Sequence, residues 1–142
     1  MIKKYLVVLI LFSLLLSSAA FTAAGGRVEI FDPKINMVVK KITMNTEVRK
    51  MVESWLKNIK EIHPLLSPIK DDGYAVRFTF LPQIYLENDL IKLSSNEVYL
   101  IIPEKDPPFF LIFNEENQPL CFKFPGNLDL LSKALSFTLT KN

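Results

Sequence analysis

The alternation of apolar and polar residues after position 26 changes its period several times along the chain. The segments RVEIFD and INMVVKKITM predict two strands, and Pro33 between them predicts a turn because proline lacks a backbone donor and fixes its φ angle. Further strands are predicted for YAVRFTFL, for QIYLEN after the interruption at Pro82, and for EVYLIIP. This succession of short strands and turns favours an antiparallel sheet.

A helix is predicted between the second and third strands. Asn45 or Thr46 suits its N-cap, since either side chain offers an oxygen to a free first-turn N–H. Apolar residues then recur at helical spacing on one side: Val48, Met51, Val52, Trp55, Leu56, Ile59 and Ile62. His63-Pro64 predicts the end, because a proline disfavours helical geometry in its predecessor. A second, shorter helix is predicted after Asn127.

The segment DPPFFLIFNEENQPLCFKFP predicts a hairpin with Glu115–Gln118 as its loop, so that the numbers of opposite residues sum to 233. One face is then wholly apolar and is expected to meet the long helix; its pairs are Phe113/Leu120, Leu111/Phe122 and Phe109/Phe124. The other face holds Ile112/Cys121 and Phe110/Lys123. Burial favours this register, because a slip of one residue moves every side chain to the opposite face.

These elements predict an α+β fold in which a long amphipathic helix packs on an antiparallel sheet of about four to six strands, with a short C-terminal helix. In outline, the order strands–helix–strands resembles that of cystatin-like domains. The sheet face turned away from the helix is expected to carry Tyr99, Ile101, Phe110 and Ile112. Such an apolar face predicts a cover, which is either another element of the chain or a partner.

The first 24 residues predict an export signal. Lys3 and Lys4 precede the apolar run Tyr5–Leu16, and small residues follow, which is the order of a secretory signal peptide. Cleavage is predicted after Ala20 or Ala24, where small residues stand at the positions that a signal peptidase reads.

An uncleaved N-terminal anchor is the alternative, because the 20 residues Tyr5–Ala24 are enough to cross a bilayer. The expected location is therefore secreted or extracytoplasmic, with membrane contact only through residues 1–24 and only if they are retained. Residues 25–142 have the length of a single globular domain.

The charge balance argues against one class of partner, and the cysteine content indicates what stabilises the fold. The formal net charge of +2 comes from Lys3 and Lys4, so residues 25–142 carry 15 basic and 15 acidic side chains. A nucleic-acid-binding domain has a clustered basic excess, and the longest basic cluster is Lys40-Lys41, so we expect no nucleic-acid partner. A single cysteine cannot form an intrachain disulfide, which leaves stability to the apolar core. The abundance of Lys, Ile, Asn and Phe is typical of an AT-rich bacterial genome.

Two side chains have the chemistry of catalytic groups. Cys121 is interpreted as a small apolar residue inside a strand, and the alternative is a reactive thiolate if the ammonium group of Lys123 lowers the pKa of the thiol. His63 is the only histidine, and we expect it at the end of the long helix, where a cation suits the negative end of the dipole.

Acidic pairs occur in Asp71-Asp72-Gly73 and Glu115-Glu116-Asn117, and Glu87 and Asp89 flank Asn88. Acidic residues are common in turns, and none of these segments has the alternating oxygen spacing of a calcium loop. The sequence also contains no glycine-rich phosphate loop, no Gly-x-Ser-x-Gly and no metal-ligand spacing. We therefore predict no catalytic, cofactor-binding or metal-binding residue and no cofactor.

The preferred function is that of an exported, non-catalytic extracytoplasmic domain that binds a protein or a cell-envelope component. Tyr99, Ile101, Phe110 and Ile112 are the candidate partner surface. One alternative is a small hydrolase or metal-dependent enzyme using the acidic turns with His63. Another is a carrier that holds an apolar ligand between helix and sheet; its cavity would be lined by Phe78, Phe80, Phe109 and Trp55.

Overall fold

The computed structural model describes residues 25–64 and 70–141, so the predicted signal segment lies outside the described residues. Its elements are β1 (Gly26–Asp32), β2 (Met37–Thr43), α1 (Thr46–Lys57), β3 (Tyr74–Glu87), β4 (Lys92–Ile102), β5 (Phe109–Phe113), β6 (Pro119–Lys123) and α2 (Leu128–Leu135). The strands form one antiparallel sheet in the order β2-β1-β3-β4-β5-β6. The predicted α+β class, the six-stranded sheet and the short C-terminal helix are confirmed.

Both helices cover one face of the sheet, which we call the helix face. The buried residues of this layer include Val52 of α1, Leu131 of α2, and Phe78 and Phe110 of the sheet. The opposite face, which we call the far face, is a second buried cluster made of Phe31, Ala75, Tyr99, Ile101, Phe109, Leu111 and Cys121. The sheet is therefore apolar on both sides, and consecutive residues of a strand, which point to opposite faces, are both buried.

Helix α1 begins where the sequence predicts it, because the side chain of Asn45 accepts a hydrogen bond from the Val48 N–H at 2.8 Å. Its predicted extent to Ile62 is wrong, since the helix ends at Lys57 after 12 residues. The backbone N–H of Asn58 donates to both Ser54 and Trp55, and the Asn58 amide donates to the Ser54 carbonyl at 2.8 Å, which closes the last turn.

The residues after this cap pair with the edge of strand β6 instead of continuing the helix. The Lys123 N–H donates to the Glu61 carbonyl at 3.0 Å, and the His63 N–H donates to the Cys121 carbonyl at 2.9 Å. Ile62 and Phe122 form an antiparallel bridge between these bonds. This pairing satisfies backbone groups that a longer helix would have satisfied with its own hydrogen bonds. The end of α1 therefore depends on a distant strand, and helical spacing in the sequence could not locate it. We call residues 61–63 the β6 strap.

The predicted register of the last hairpin is wrong by one residue. Leu111 lies opposite Cys121 and Ile112 lies opposite Leu120, so the numbers sum to 232. Strand β6 has the predicted orientation, with Phe122 on the helix face and Cys121 on the far face, whereas β5 is reversed. Phe110 and Ile112 therefore belong to the helix face, and the predicted pairs Phe113/Leu120, Leu111/Phe122 and Phe109/Phe124 do not form.

The loop chemistry explains this register. The Asn114 N–H donates to the Gln118 carbonyl, and the Asn114 side chain accepts from the N–H groups of Glu116 and Gln118. Only three residues then remain in the loop, and the last of them, Asn117, has a φ of 60°. A three-residue hairpin loop needs a residue in the left-handed region at its last position, and asparagine tolerates that region well.

Helix α2 is capped at both ends. The Asn127 side chain accepts from the N–H groups of Asp129 and Leu130, as predicted. At the other end, the ammonium group of Lys40 donates to the carbonyls of Leu135 and Ser136, both at 2.9 Å. A lysine that donates to the last carbonyls of a helix stabilises that end, so Lys40 ties strand β2 to α2.

Candidate binding surfaces

The four residues of the predicted partner surface lie on two different faces of the sheet. Tyr99 and Ile101 are on the far face, as expected, but Phe110 and Ile112 lie beneath the helices because of the hairpin register. All four side chains are at most 5% exposed. They therefore do not form one accessible surface in this structure.

An ionic network is buried on the far face and was missed in the sequence. Glu29 and Arg77 lie directly opposite each other on β1 and β3, and Arg77 lies opposite Tyr99 on β4. The Arg77 guanidinium pairs with Glu97, whose second carboxylate oxygen accepts a hydrogen bond from the Tyr99 hydroxyl at 3.2 Å. Burial, together with the neighbouring carboxylate of Glu97, raises the pKa of Tyr99, so its hydroxyl remains a donor.

This network escaped prediction because alternation alone assigns charged strand residues to solvent. Glu29 and Arg77 are both buried, and Glu29 also lies 3.3 Å from the guanidinium of Arg27. The signal in the sequence is the opposite charge at two positions that only the strand register brings face to face. Buried ion pairs cost desolvation energy, which offsets much of their mutual attraction, so the network is weak evidence for added stability.

The thiol of Cys121 is chemically quiet. Burial alone raises its pKa to about 12, so the thiol is protonated at neutral pH. Lys123 does not produce the thiolate considered from the sequence, because its ammonium group pairs with the Glu61 carboxylate at 2.6 Å. Cys121 is a buried member of the far-face cluster beside Leu111, which supports its interpretation as a small apolar residue.

His63 does not lie at a helix end, which corrects the expectation from the sequence. Its imidazole stacks on the ring of Phe109, with centroids 4.3 Å apart and planes inclined by 5°. Burial and the charge of Lys123 lower the pKa of His63, while Asp106 opposes that change. His63 and Cys121 also line an apolar groove of about 300 Å³ beside the exposed side chains of Ile62 and Leu90.

The acidic turns have structural roles. Asp72 accepts a hydrogen bond from the Glu104 N–H, and Glu116 lies in the hairpin loop where its own N–H is bound by Asn114. Among residues 25–64 and 70–141, no group of three His, Cys, Asp or Glu side chains is placed to hold a metal ion. The charged neighbours that affect His63 are Lys123 and Asp106, and neither belongs to these turns.

The apolar-carrier alternative required one cavity lined by four aromatic residues. Phe78 and Phe80 are buried on the helix face, whereas Phe109 lies on the far face under His63. Trp55 packs at the end of α1 against Phe124. Because the sheet itself separates Phe109 from the other aromatic residues, these four side chains cannot line one cavity.

Three exposed apolar side chains lie close together at the free edge of the sheet. Ile35, Met37 and Val39 are 56%, 59% and 38% exposed, and they occupy the β1–β2 turn and the start of β2. We call them the β2 patch. The pattern of this segment predicts a strand but not its position at the edge of the sheet, because strand order cannot be read from periodicity.

A second surface feature is a cleft at the C-terminal end of α1, which we call the Trp55 cleft. It has a volume of about 480 Å³ and is lined by Trp55, Asn58, Lys60, Glu61, Lys123, Phe124 and Pro125. Pockets that bind small molecules have volumes of about 300–1,000 Å³ and combine apolar walls with a few polar groups. The cleft meets both criteria.

No family model, no curated protein and no solved structure matches this chain. Within the described residues, neither helix has the length and apolar character needed to cross a membrane.

Proposed function

We propose that the chain is an exported, non-catalytic extracytoplasmic domain that binds an extended segment of a protein partner along strand β2. The export element of this proposal comes from the basic, apolar and small-residue order of residues 1–24. The binding element comes from the β2 patch, and this concentration of exposed apolar side chains on a sheet edge is the observation that carries the proposal.

The two edges of the sheet differ in their availability. Strand β6 is covered by the β6 strap, whose backbone pairs with Lys123 and Cys121. Strand β2 is the opposite edge, and no described strand pairs with its outer side. An exposed edge offers unpaired backbone groups, and an added strand gains affinity from them and specificity from alternate side chains.

The patch also indicates the length of the partner segment. Lys40 is held by the carbonyls of α2, and a register shift separates Ile30 from Phe31 in the pairing of β1 with β2. The extra residue of this bulge is Val39. Because bulges and lysines discourage strand addition, the backbone of the partner is expected to pair before Val39, whose exposed side chain flanks the contact. The contact is therefore short, centred on Met37, and apolar.

Site-specific photocrosslinking in the native host tests this proposal. A photoreactive amino acid replaces Met37 in one variant and Leu130 in another, since both side chains are apolar and at least half exposed. We expect a discrete protein adduct from position 37 and none from position 130, because Leu130 lies on α2, away from the sheet edge.

A substitution within the β2 patch gives the second measurement. Val39→Gln should reduce the adduct formed at position 37, while leaving the free energy of unfolding within about 0.5 kcal/mol of the unmodified protein, as for most surface substitutions. Leu130→Gln is the matched control and should change neither quantity. Equal adducts at both positions, or an adduct that Val39→Gln does not reduce, would refute binding at β2.

A further inference from the structure

The aromatic wall of the Trp55 cleft is rigidly built. The rings of Trp55 and Phe124 meet edge to face with centroids 5.1 Å apart, and Phe124 meets Phe110 of the buried layer in the same way at 5.3 Å. Gly126 packs directly on the indole, since a Cβ atom there would lie 2.4 Å from Cδ2 of Trp55. An indole fixed in this way needs little ordering when a ligand arrives.

The rim of the cleft combines cationic donors with neutral and anionic acceptors. Lys60 is exposed and forms no ion pair with the described residues, whereas Lys123 pairs with Glu61 at 2.6 Å on the surface. Asn58 uses its amide N–H to bind Ser54, so its side-chain oxygen is left to accept from a ligand. Lys60, Lys123 and Glu61 together give the rim a net charge of +1.

We propose that the Trp55 cleft binds an acidic sugar, by which we mean a pyranose that carries a carboxylate. The carboxylate would pair with the ammonium group of Lys60, and the hydroxyl groups would donate to Asn58 and Glu61. The C–H face of the sugar ring would pack on the aromatic wall formed by Trp55 and Phe124, since the negative π face of an aromatic ring attracts positively polarised hydrogens.

Other ligand classes fit this set of groups less well. A flat aromatic acid has no donors for Asn58 and Glu61, and burial against unsatisfied acceptors costs affinity. A phosphate ester would bring two negative charges beside the Glu61 carboxylate, which raises the cost of binding. A neutral sugar would form no ion pair with Lys60. This inference concerns a surface at the end of α1 and does not depend on binding at β2.

Trp55 is the only tryptophan in the chain, so its fluorescence reports on this cleft directly. The probes are sodium glucuronate and, as a neutral match, glucose, added to the purified protein at constant ionic strength. We expect a saturable change in Trp55 emission with glucuronate and at least a tenfold weaker apparent affinity for glucose. A tri-uronide that binds more tightly than the monomer would identify a polymer as the source of the sugar, and equal affinities would identify a free sugar acid.

Variants separate binding at the cleft from general effects of the solute. Lys60→Gln should weaken glucuronate binding about tenfold, which corresponds to the loss of one charge-assisted contact of about 1.4 kcal/mol. Lys133→Gln removes a similarly exposed lysine on α2 and should leave the affinity unchanged. The proposal is overturned if glucuronate produces no saturable change, if glucose binds equally well, or if the two lysine variants lose affinity equally.

Discussion

A cysteine placed at position 111 should form a disulfide with Cys121, whereas one placed at position 112 should not. Leu111 lies directly opposite Cys121, and both side chains belong to the far face. The Cys121 carbonyl accepts from the His63 N–H of the β6 strap, so it points away from β5. Such an outward-pointing residue forms a non-hydrogen-bonded pair with its neighbour, with Cα atoms about 4.5 Å apart, within the range that a disulfide spans.

The stabilisation that the disulfide provides depends on the length of the loop that it closes. A bridge between positions 111 and 121 closes a loop of about 11 residues, and the chain-entropy relation then gives a stabilisation of about 2.8 kcal/mol. Comparing oxidised with reduced Leu111→Cys isolates this quantity, because both forms have lost the same leucine. Any strain in the bridge would lower the gain.

Thiol counts and chemical denaturation provide the assay. Oxidation is carried out during refolding, because burial raises the pKa of Cys121 to about 12 and keeps the thiol protonated in the native protein. Leu111→Cys should lose both free thiols and show the higher midpoint of unfolding when oxidised. Ile112→Cys is the matched control, because Ile112 lies opposite Leu120 and on the other face. A bridge in Ile112→Cys but not in Leu111→Cys would refute the observed register and restore the one inferred from the sequence.

Three further predictions test other contacts. Folding lowers the pKa of His63, so as the pH falls the unfolded state binds this proton before the native state does. His63 should therefore reduce stability as the pH falls below about 6.5. In thermal melts, His63→Gln should show a smaller drop in melting temperature over this pH range. Gly126→Ala forces a methyl group onto the indole of Trp55 and should cost about 1–3 kcal/mol in urea denaturation, with a shift in tryptophan emission; an unchanged midpoint would contradict the close contact. Cys121 should react with a thiol reagent far more slowly in the native protein than in denaturant, and equal rates would contradict its burial.

The sequence predicts an element well where one local signal decides it. Asn45 and Asn127 cap the helices as expected, because an N-cap needs only its own side chain and the N–H groups that follow it. The alternation in YAVRFTFL also correctly predicts a strand, which is the first part of β3.

The errors arise where a local pattern competes with a contact from elsewhere in the chain. Helical spacing continues to Ile62, but the edge of β6 takes up the backbone of the β6 strap. The apolar pattern of β5 fits either register because both faces of the sheet are buried, and Asn117 then decides between them. The ionic pair Glu29–Arg77 and the Trp55 cleft each require distant segments to meet, which periodicity cannot show.

The β6 strap limits how copies of this chain can associate through their sheets. Open-ended fibres need a heterologous contact, in which one edge of each sheet pairs with the opposite edge of the next copy. Here residues 61–63 already occupy β6, so of the two outermost strands of the sheet only β2 has an open edge. Pairing of β2 with β2 is isologous and uses the open edge of both copies at once. Self-association through the outermost strands therefore closes at a dimer, and growth beyond two copies through these strands first requires the strap to leave β6.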